Sequence, residues 1–353
     1  MSLSSVLSPF VAGPMIKDPG LFVGRKEELR TLAGLMSGVQ PVSVNVIGER
    51  RIGKSSLLYH FFQTWEQRVD SPNRFIVAYL DLLKENPKTE EEFYRLLADV
   101  LQQQSVVTQT GLLRTALSSL PVTHKEFSTL LDIFATQGLL PVFCLDEFEV
   151  LFKNGEQFTD SFFDQLRGCM NASQLMFILS SRQPLDVYAG KQNLTSAFFN
   201  LGQVIELGEF SEEEVEELLH LPLPGRVNFP ALSARDQKLA RQWGGRHPCL
   251  LQLAATALVE ARQFRKNTAW AKKRFAREQR RIKPVSVWKH PLSLQGIVRG
   301  YRHGLTGAAE DAIKWKTIML TCALLLLVGM VGYKLLTGTW GLKELIDVGN
   351  LLK

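Results

Sequence analysis

Gly48-Glu49-Arg50-Arg51-Ile52-Gly53-Lys54-Ser55 is the stretch on which the fold turns. It fits the pattern G-x-x-x-x-G-K-[ST], and it stands where such a loop has meaning. The β-type run Val42 to Ile47 precedes it, and Leu57, Leu58, Phe61, Phe62 and Trp65 follow at helical spacing. Glycines let backbone N–H groups turn inward around phosphate oxygens, and the helix N-terminus behind them adds a favourable dipole. In that reading Lys54 reaches the β- and γ-phosphates of a nucleotide and Ser55 holds Mg²⁺. Gly48, Glu49, Arg50, Arg51, Ile52, Gly53 and Ser56 complete the cradle. A chance match in a Gly/Lys-rich turn is the alternative, and the flanking strand and helix weigh against it.

Outward from this loop, β-type runs recur at Phe75–Leu82, Val142–Leu145, Leu175–Leu179 and Val204–Leu207. Between them the pattern is helical, notably over 88–138, where Thr89 with Glu92 reads as a capping box. Strands alternating with helices predict an α/β fold, a P-loop NTPase with a mostly parallel sheet covered by helices. Ser211 and Glu214 form a second capping box, and from there to residue 260 the pattern reads as all-helical, a small lid-like subdomain. The expected organisation is therefore an ATPase domain over 1–210 and a helical subdomain over 211–260. A basic stalk and linker (261–316), a transmembrane helix (317–336) and a short tail (337–353) follow.

In open α/β sheets ligands bind beyond the carboxyl ends of the strands, and polar residues cluster there. Asp146, directly after Val142-Phe143-Cys144-Leu145, suits a carboxylate linked to Mg²⁺, and Glu147 beside it suits activation of the attacking water. A solvated turn is the bland reading of such a pair, and the upstream phosphate loop argues against it. Arg182, closing the run Ser180-Ser181-Arg182, would compensate charge developing on a γ-phosphate, or else is a surface arginine. In Trp243-Gly244-Gly245-Arg246-His247-Pro248 two glycines permit a sharp turn and Pro248 suits a first helical turn. By itself that motif is no more than a helix start.

Taken together, GERRIGKS, FCLDEFE, FILSSR and GGRHPCLLQLAA resemble AAA-like P-loop ATPases in order and spacing. The resemblance is nearest to the STAND group of signal-transduction ATPases and its archaeal and bacterial ATPase branch. FVGRKEEL resembles the opening motif of that branch and of origin-recognition-type ATPases. The likeness covers about residues 10–260. It implies that Phe22, Val23 and Gly24 lie near the adenine, that Arg182 is the sensor arginine, and that Pro248 approaches the base or ribose. It further implies a switch, closed with ADP and opened by exchange to ATP, that then oligomerises. After residue 260 the chain departs from the group's pattern, with no winged-helix domain or repeat array in view. That puts autoinhibition by a C-terminal sensor in doubt and makes an unknown protein partner the expected source of input or output.

The chain has 353 residues, 45% of them apolar, enough for one large or two ordinary domains and unlike a disordered or low-complexity protein. Cys144, Cys169, Cys249 and Cys322 lack metal-ligand or C-x-x-C spacing and read as reduced thiols, neither a zinc site nor a disulfide framework. No basic n-region followed by a long apolar core opens the chain, so a cleaved signal peptide is not expected. Ala261–Lys283 holds ten basic residues against the single acid Glu278, more than the whole net charge of +6. That segment reads as a helix polar nearly all round. Docking on anionic lipid is the first reading, a solvated connector the second and nucleic-acid binding the third.

Thr317–Tyr333 is seventeen residues without a charge. With Lys334 snorkelling and Leu335-Leu336 added, the helix would be ~30 Å long, a bilayer core. Lys314, Trp315, Lys316, Tyr333, Lys334 and Trp340 flank it as interface anchors would, although a buried core helix is the alternative. Arg299, Arg302, Lys314 and Lys316 outweigh Lys334, Lys343 and Lys353, which sets the ATPase body in the cytoplasm of a single-pass membrane protein. Gly341–Leu352 reads alternatively as an interfacial segment. The expected activity is slow ATP hydrolysis with ATP/ADP and Mg²⁺, in a membrane-anchored, self-assembling switch. The alternative is an origin-type or loader ATPase acting on DNA.

Overall fold

Five parallel strands build the centre of the fold: β1 (Val44–Gly48), β2 (Phe75–Asp81), β3 (Leu140–Asp146), β4 (Met176–Ser181) and β5 (Gln203–Leu207). Their order is β2-β3-β4-β1-β5, so β1 lies between two strands that come much later in the chain. β1 and β4 are buried along their whole length. That is why β4 reads as an apolar run from Met176 to Leu179, while β1 buries one polar residue, Asn45, whose Oδ1 accepts from Ser181 Oγ at 3.0 Å. Pleating sends alternate residues to opposite faces. Val142, Cys144, Met176 and Ile178 face one core, while Phe143, Leu145, Phe177 and Leu179 face the other.

The computed structural model describes residues 8–118, 123–200 and 202–282. All described residues lie in one compact unit, 1–285. The expected transmembrane helix (317–336), the tail, the linker after 282 and Cys322 lie outside the described residues. Among the described residues no helix is long and apolar enough to cross a membrane.

One face of the sheet is covered by α1 (Lys26–Ser37) and α2 (Lys54–Thr64), through Leu29, Leu32, Leu57, Leu58 and Phe61. The other is covered by α3 (Leu82–Glu85), α4 (Glu90–Gln102), α5 (Ser105–Gln109), α6 (Gly111–Ala116), α7 (His124–Thr136), α8 (Asp160–Asn171) and α9 (Leu185–Lys191). Its core is rich in phenylalanine, with Phe93, Phe127, Phe143, Phe162, Phe163, Phe177 and Phe198 packed edge to face or tilted. The Thr89 hydroxyl caps α4 by accepting from the Glu92 amide, but Glu92 returns its carboxylate to Lys88 N–H and not to Thr89. The expected box is half formed. Thr123 and Glu126 make a complete one on α7.

The chain then continues into α10 (Glu212–Leu219), β6 (Pro222–Leu223), β7 (Arg226–Pro230), α11 (Ala234–Gly244), α12 (Pro248–Gln263) and α13 (Thr268–Arg281). Two corrections to the expected organisation arise here. The stretch 211–260 is not all helical, because β6 and β7 pair antiparallel across Pro224-Gly225, with Gly225 at φ 78°. Nor does the basic stalk begin as a separate element at residue 261. Helix α12 runs on to Gln263, and Ala271 and Phe275 of α13 are buried in the same cluster as Leu251, Leu258 and Val215. Phe10 and Val23 from the N-terminal segment join that cluster too, so the first 210 residues are not a closed domain. Within the cluster α11 meets α12 at backbone distance. A Cβ on Gly244 would lie 2.5 Å from Leu251 Cα.

Candidate nucleotide-binding site

The phosphate loop connects β1 to α2 at the carboxyl edge of the sheet. Gly48 has φ 152°, and a Cβ there would meet the Leu207 carbonyl oxygen at 2.8 Å. Gly53, the N-cap of α2, has φ 111°. Only glycine takes both positions without strain. No side chain caps α2, so the amides of its first turn are left to a ligand. Lys54 is buried, and its ammonium donates to the carbonyls of Gly48 (2.8 Å) and Glu49 (3.0 Å). Burial pushes its pKa below the usual lysine value, opposed by the nearby carboxylates of Glu149, Glu147 and Asp146.

Asp146 ends β3 and is 3% exposed. Its Oδ1 accepts from the Ser180 hydroxyl and its Oδ2 from Tyr79 Oη at 3.2 Å. Burial first and the Asp146 charge second raise the Tyr79 phenol, which holds it as a donor. Glu147 follows in a left-handed conformation, φ 54°, with its N–H donated to Ser180 Oγ at 3.1 Å. Such a φ is uncommon outside glycine and costs strain that the surrounding bonds must hold. Arg182 lies beyond β4 and spans two carboxylates, 3.6 Å from Glu147 Oε2 and 3.4 Å from Glu149 Oε1.

Glu149 was not foreseen. It is 9% exposed, and neither carboxylate oxygen has a hydrogen-bond partner. Burial raises its pKa, as does Glu147, against Arg182 and Lys54. Its signal in the sequence was the second acid of Asp146-Glu147-Phe148-Glu149, next to the pair that was read. Ser180 was also missed as the hydroxyl joining Asp146 to Glu147, although it closes the run that ends in Arg182.

A narrow cleft beside the loop brings together Phe22, Val23, Ile52, Gly53, Ser56 and Pro248, six of the residues singled out from sequence. Ile16, Arg25, Phe210, Leu218 and Gln252 complete its lining. Phe22 stacks on His60 with centroids 4.0 Å apart. The Ser56 hydroxyl accepts from Ile16 N–H, so its backbone amide is the group it can offer a ligand. Gly24 faces a wider opening, where a Cβ would strike the Glu214 side chain at 2.6 Å. Glu49, Arg50 and Arg51 are exposed on the rim. Arg25, unforeseen, reaches the carbonyls of Gly208 and Ile52 and lies over the Phe210 ring, tying the opening segment to both loop and helical subdomain.

These groups fit a magnesium nucleotide. Uncapped helix amides and Lys54 suit phosphates, and the buried carboxylate of Asp146 with the hydroxyl of Ser55 suits a cation that keeps most ligands as water and phosphate oxygen. Among the described residues no cluster of three or more His, Cys, Asp or Glu is arranged to hold a metal unaided.

Solved structures share this architecture. The Walker-type ATPase PABY2304 of Pyrococcus abyssi superposes with a TM-score of 0.57 at 18% identity, over 78% of this chain and 81% of that one. The ORC2 protein of Aeropyrum pernix, in its ADPNP–ADP complexes, gives 0.53 at 17% identity, over 77% and 71%. Its ADP form gives 0.51 at 16% identity over the same shares. No protein-family model matches the chain, and no curated protein matches it. The fold is that of the P-loop ATPases.

Proposed function

We propose that the chain is an ATP-hydrolysing switch of STAND type, held at a membrane by residues 317–336, whose nucleotide state controls assembly or signalling. One observation carries the catalytic part of this reading. A buried Asp146 and a Glu147–Arg182 pair stand at the carboxyl edge of the sheet that also presents Lys54 and the first turn of α2. The loop amides and Lys54 hold the phosphates, and Mg²⁺ on Ser55 and Asp146 would neutralise their charge. Glu147 orients water and takes its proton. Arg182 exchanges its carboxylate partners for the γ-phosphate, which frees Glu147 and senses ATP in one movement. Strain at Glu147 and the need to break that ion pair both favour slow turnover.

The test separates binding from chemistry. Lys54→Ala should lose nucleotide affinity, whereas Glu147→Gln should hold ATP and turn it over about 10²-fold more slowly or worse. Labelled-ATP titration and phosphate release measure the two. Undiminished hydrolysis by Glu147→Gln would remove the catalytic assignment.

A second reading, an origin-type or loader ATPase acting on DNA, is favoured by the cationic surface of α13 and by the FVGRKEEL motif. It expects duplex DNA binding by residues 1–285 that falls steeply with salt.

A further inference from the structure

Helix α13 is two-faced in a way the nucleotide site does not use. Ala271 and Phe275, one turn apart, are buried toward α12, with Phe275 against Trp243. Arg274 and Glu278 line that seam, where Arg274 is bonded to both Glu260 and Glu278. The remaining face carries Lys272, Lys273, Arg277, Arg280 and Arg281, all exposed. Glu278 is the only acid of the helix and is shared by Arg274, Arg277 and Arg281. Lys272, Lys273 and Arg280 have no ion-pair partner among the described residues, so the face is strongly positive.

Aromatic side chains end this stripe. Trp270 lies three and seven positions before Lys273 and Arg277 on the helix, and is half-buried against the same cluster as Phe275. Phe264 meets its edge at 6.4 Å and is 46% exposed. Phe264 stands exposed at the end of α12, in the turn that leads into this cationic helix. Duplex DNA offers phosphates but no apolar layer for Phe264. An anionic bilayer surface offers both, with phosphates for the cations and a headgroup–acyl boundary for the rings.

We infer that the exposed face of α13, with Phe264 at its leading end against the edge of Trp270, docks the ATPase body flat on an anionic lipid surface. This deepens the membrane reading above, yet it is tested without the segment 317–336. Residues 1–285 suffice, because all three apolar clusters close within them.

That chain should sediment with phosphatidylcholine–phosphatidylserine vesicles and not with phosphatidylcholine alone, and added salt should weaken the attachment. Lys273→Gln with Arg277→Gln should lower vesicle affinity about fivefold per cation, or about twenty-five-fold together. Phe264→Ala should weaken the part of binding that survives salt. Unchanged melting and ATP binding in these variants would show an intact fold. Equal binding to both vesicles, or full binding by the double variant, would overturn the assignment. So would duplex DNA bound through the same cations with phosphatidylserine vesicles left unbound, which would make the face a nucleic-acid surface. Failure here would leave carbonate-resistant anchoring of the full chain intact, so the two membrane claims can fall separately.

Discussion

Arg182 divides one guanidinium between Glu147 and Glu149, and a γ-phosphate would compete for it. Arg182→Ala should therefore bind ADP normally while losing the ATP-specific gain in assembly. Size measurement of residues 1–285 with ADP and with a non-hydrolysable ATP analogue decides this, and unchanged assembly would leave Arg182 a structural residue. His60 makes a second residue-scale prediction. Burial, then the Arg68 charge, lowers its pKa from 6.5 to about 4, and Arg68 Nη2 lies 3.2 Å from its Nε2. The folded state thus resists a proton that the unfolded chain accepts below pH 6.5. Stability from neutral His60 is complete above that value and is lost as pH falls toward about 4. The loss is on the order of 2 kcal/mol. Denaturant melts of the parent and His60→Phe across this window should diverge, the parent falling faster. The placement of Asp146, Glu147 and Lys54 at the carboxyl edge of the sheet was legible in the sequence, because adjacency to a strand or a motif defines it. Glu149 and Arg25 were not, since burial and long-range carbonyl contacts leave no local signature.

At the scale of elements, Gly244 decides how closely α11 and α12 approach. Gly244→Ala would drive a methyl into the backbone of Leu251, where no rotamer can give way. A loss of about 2–3 kcal/mol is expected, as for overpacking of a tight core. Thermal melting should show it, with hydrogen exchange rising first in α11 and α12. Strands β2, β3 and β4 were readable because burial on both faces leaves near-continuous apolar runs, while β1 and the exposed edge strand β5 were readable from their β-branched residues. The β6–β7 hairpin was missed, because the stretch 211–260 reads as all-helical. Pro224-Gly225 is the signature of a turn needing positive φ at its second central position, but its flanking strands are too short to show alternation. Helix α13 was misread for another reason. Its buried face consists of little more than Ala271 and Phe275, and ten basic residues over 261–283 outvote two apolar ones in any composition window.

For the whole molecule, the prediction with the widest reach concerns anchoring by residues 317–336. Full-length protein should stay in the membrane pellet after carbonate and high-salt washing, while a chain ending at Val285 should be released by salt. Leu325→Arg with Leu327→Arg should free much of the full chain, since each charge at mid-bilayer costs about 2.5–3.5 kcal/mol. Complete salt extraction of the parent would reject a spanning helix and leave only the electrostatic attachment of α13. The order of the sheet carries a further consequence, for synthesis. β1 brings the phosphate loop early in the chain, but both its neighbours, β4 and β5, begin only at Met176 and Gln203. Until those strands have left the ribosome the loop has no scaffold, and Phe10 and Val23 wait longer still for α12 and α13. Nucleotide capture is therefore a late event in the life of the nascent chain, and β1 is among the early segments a chaperone would have to shield.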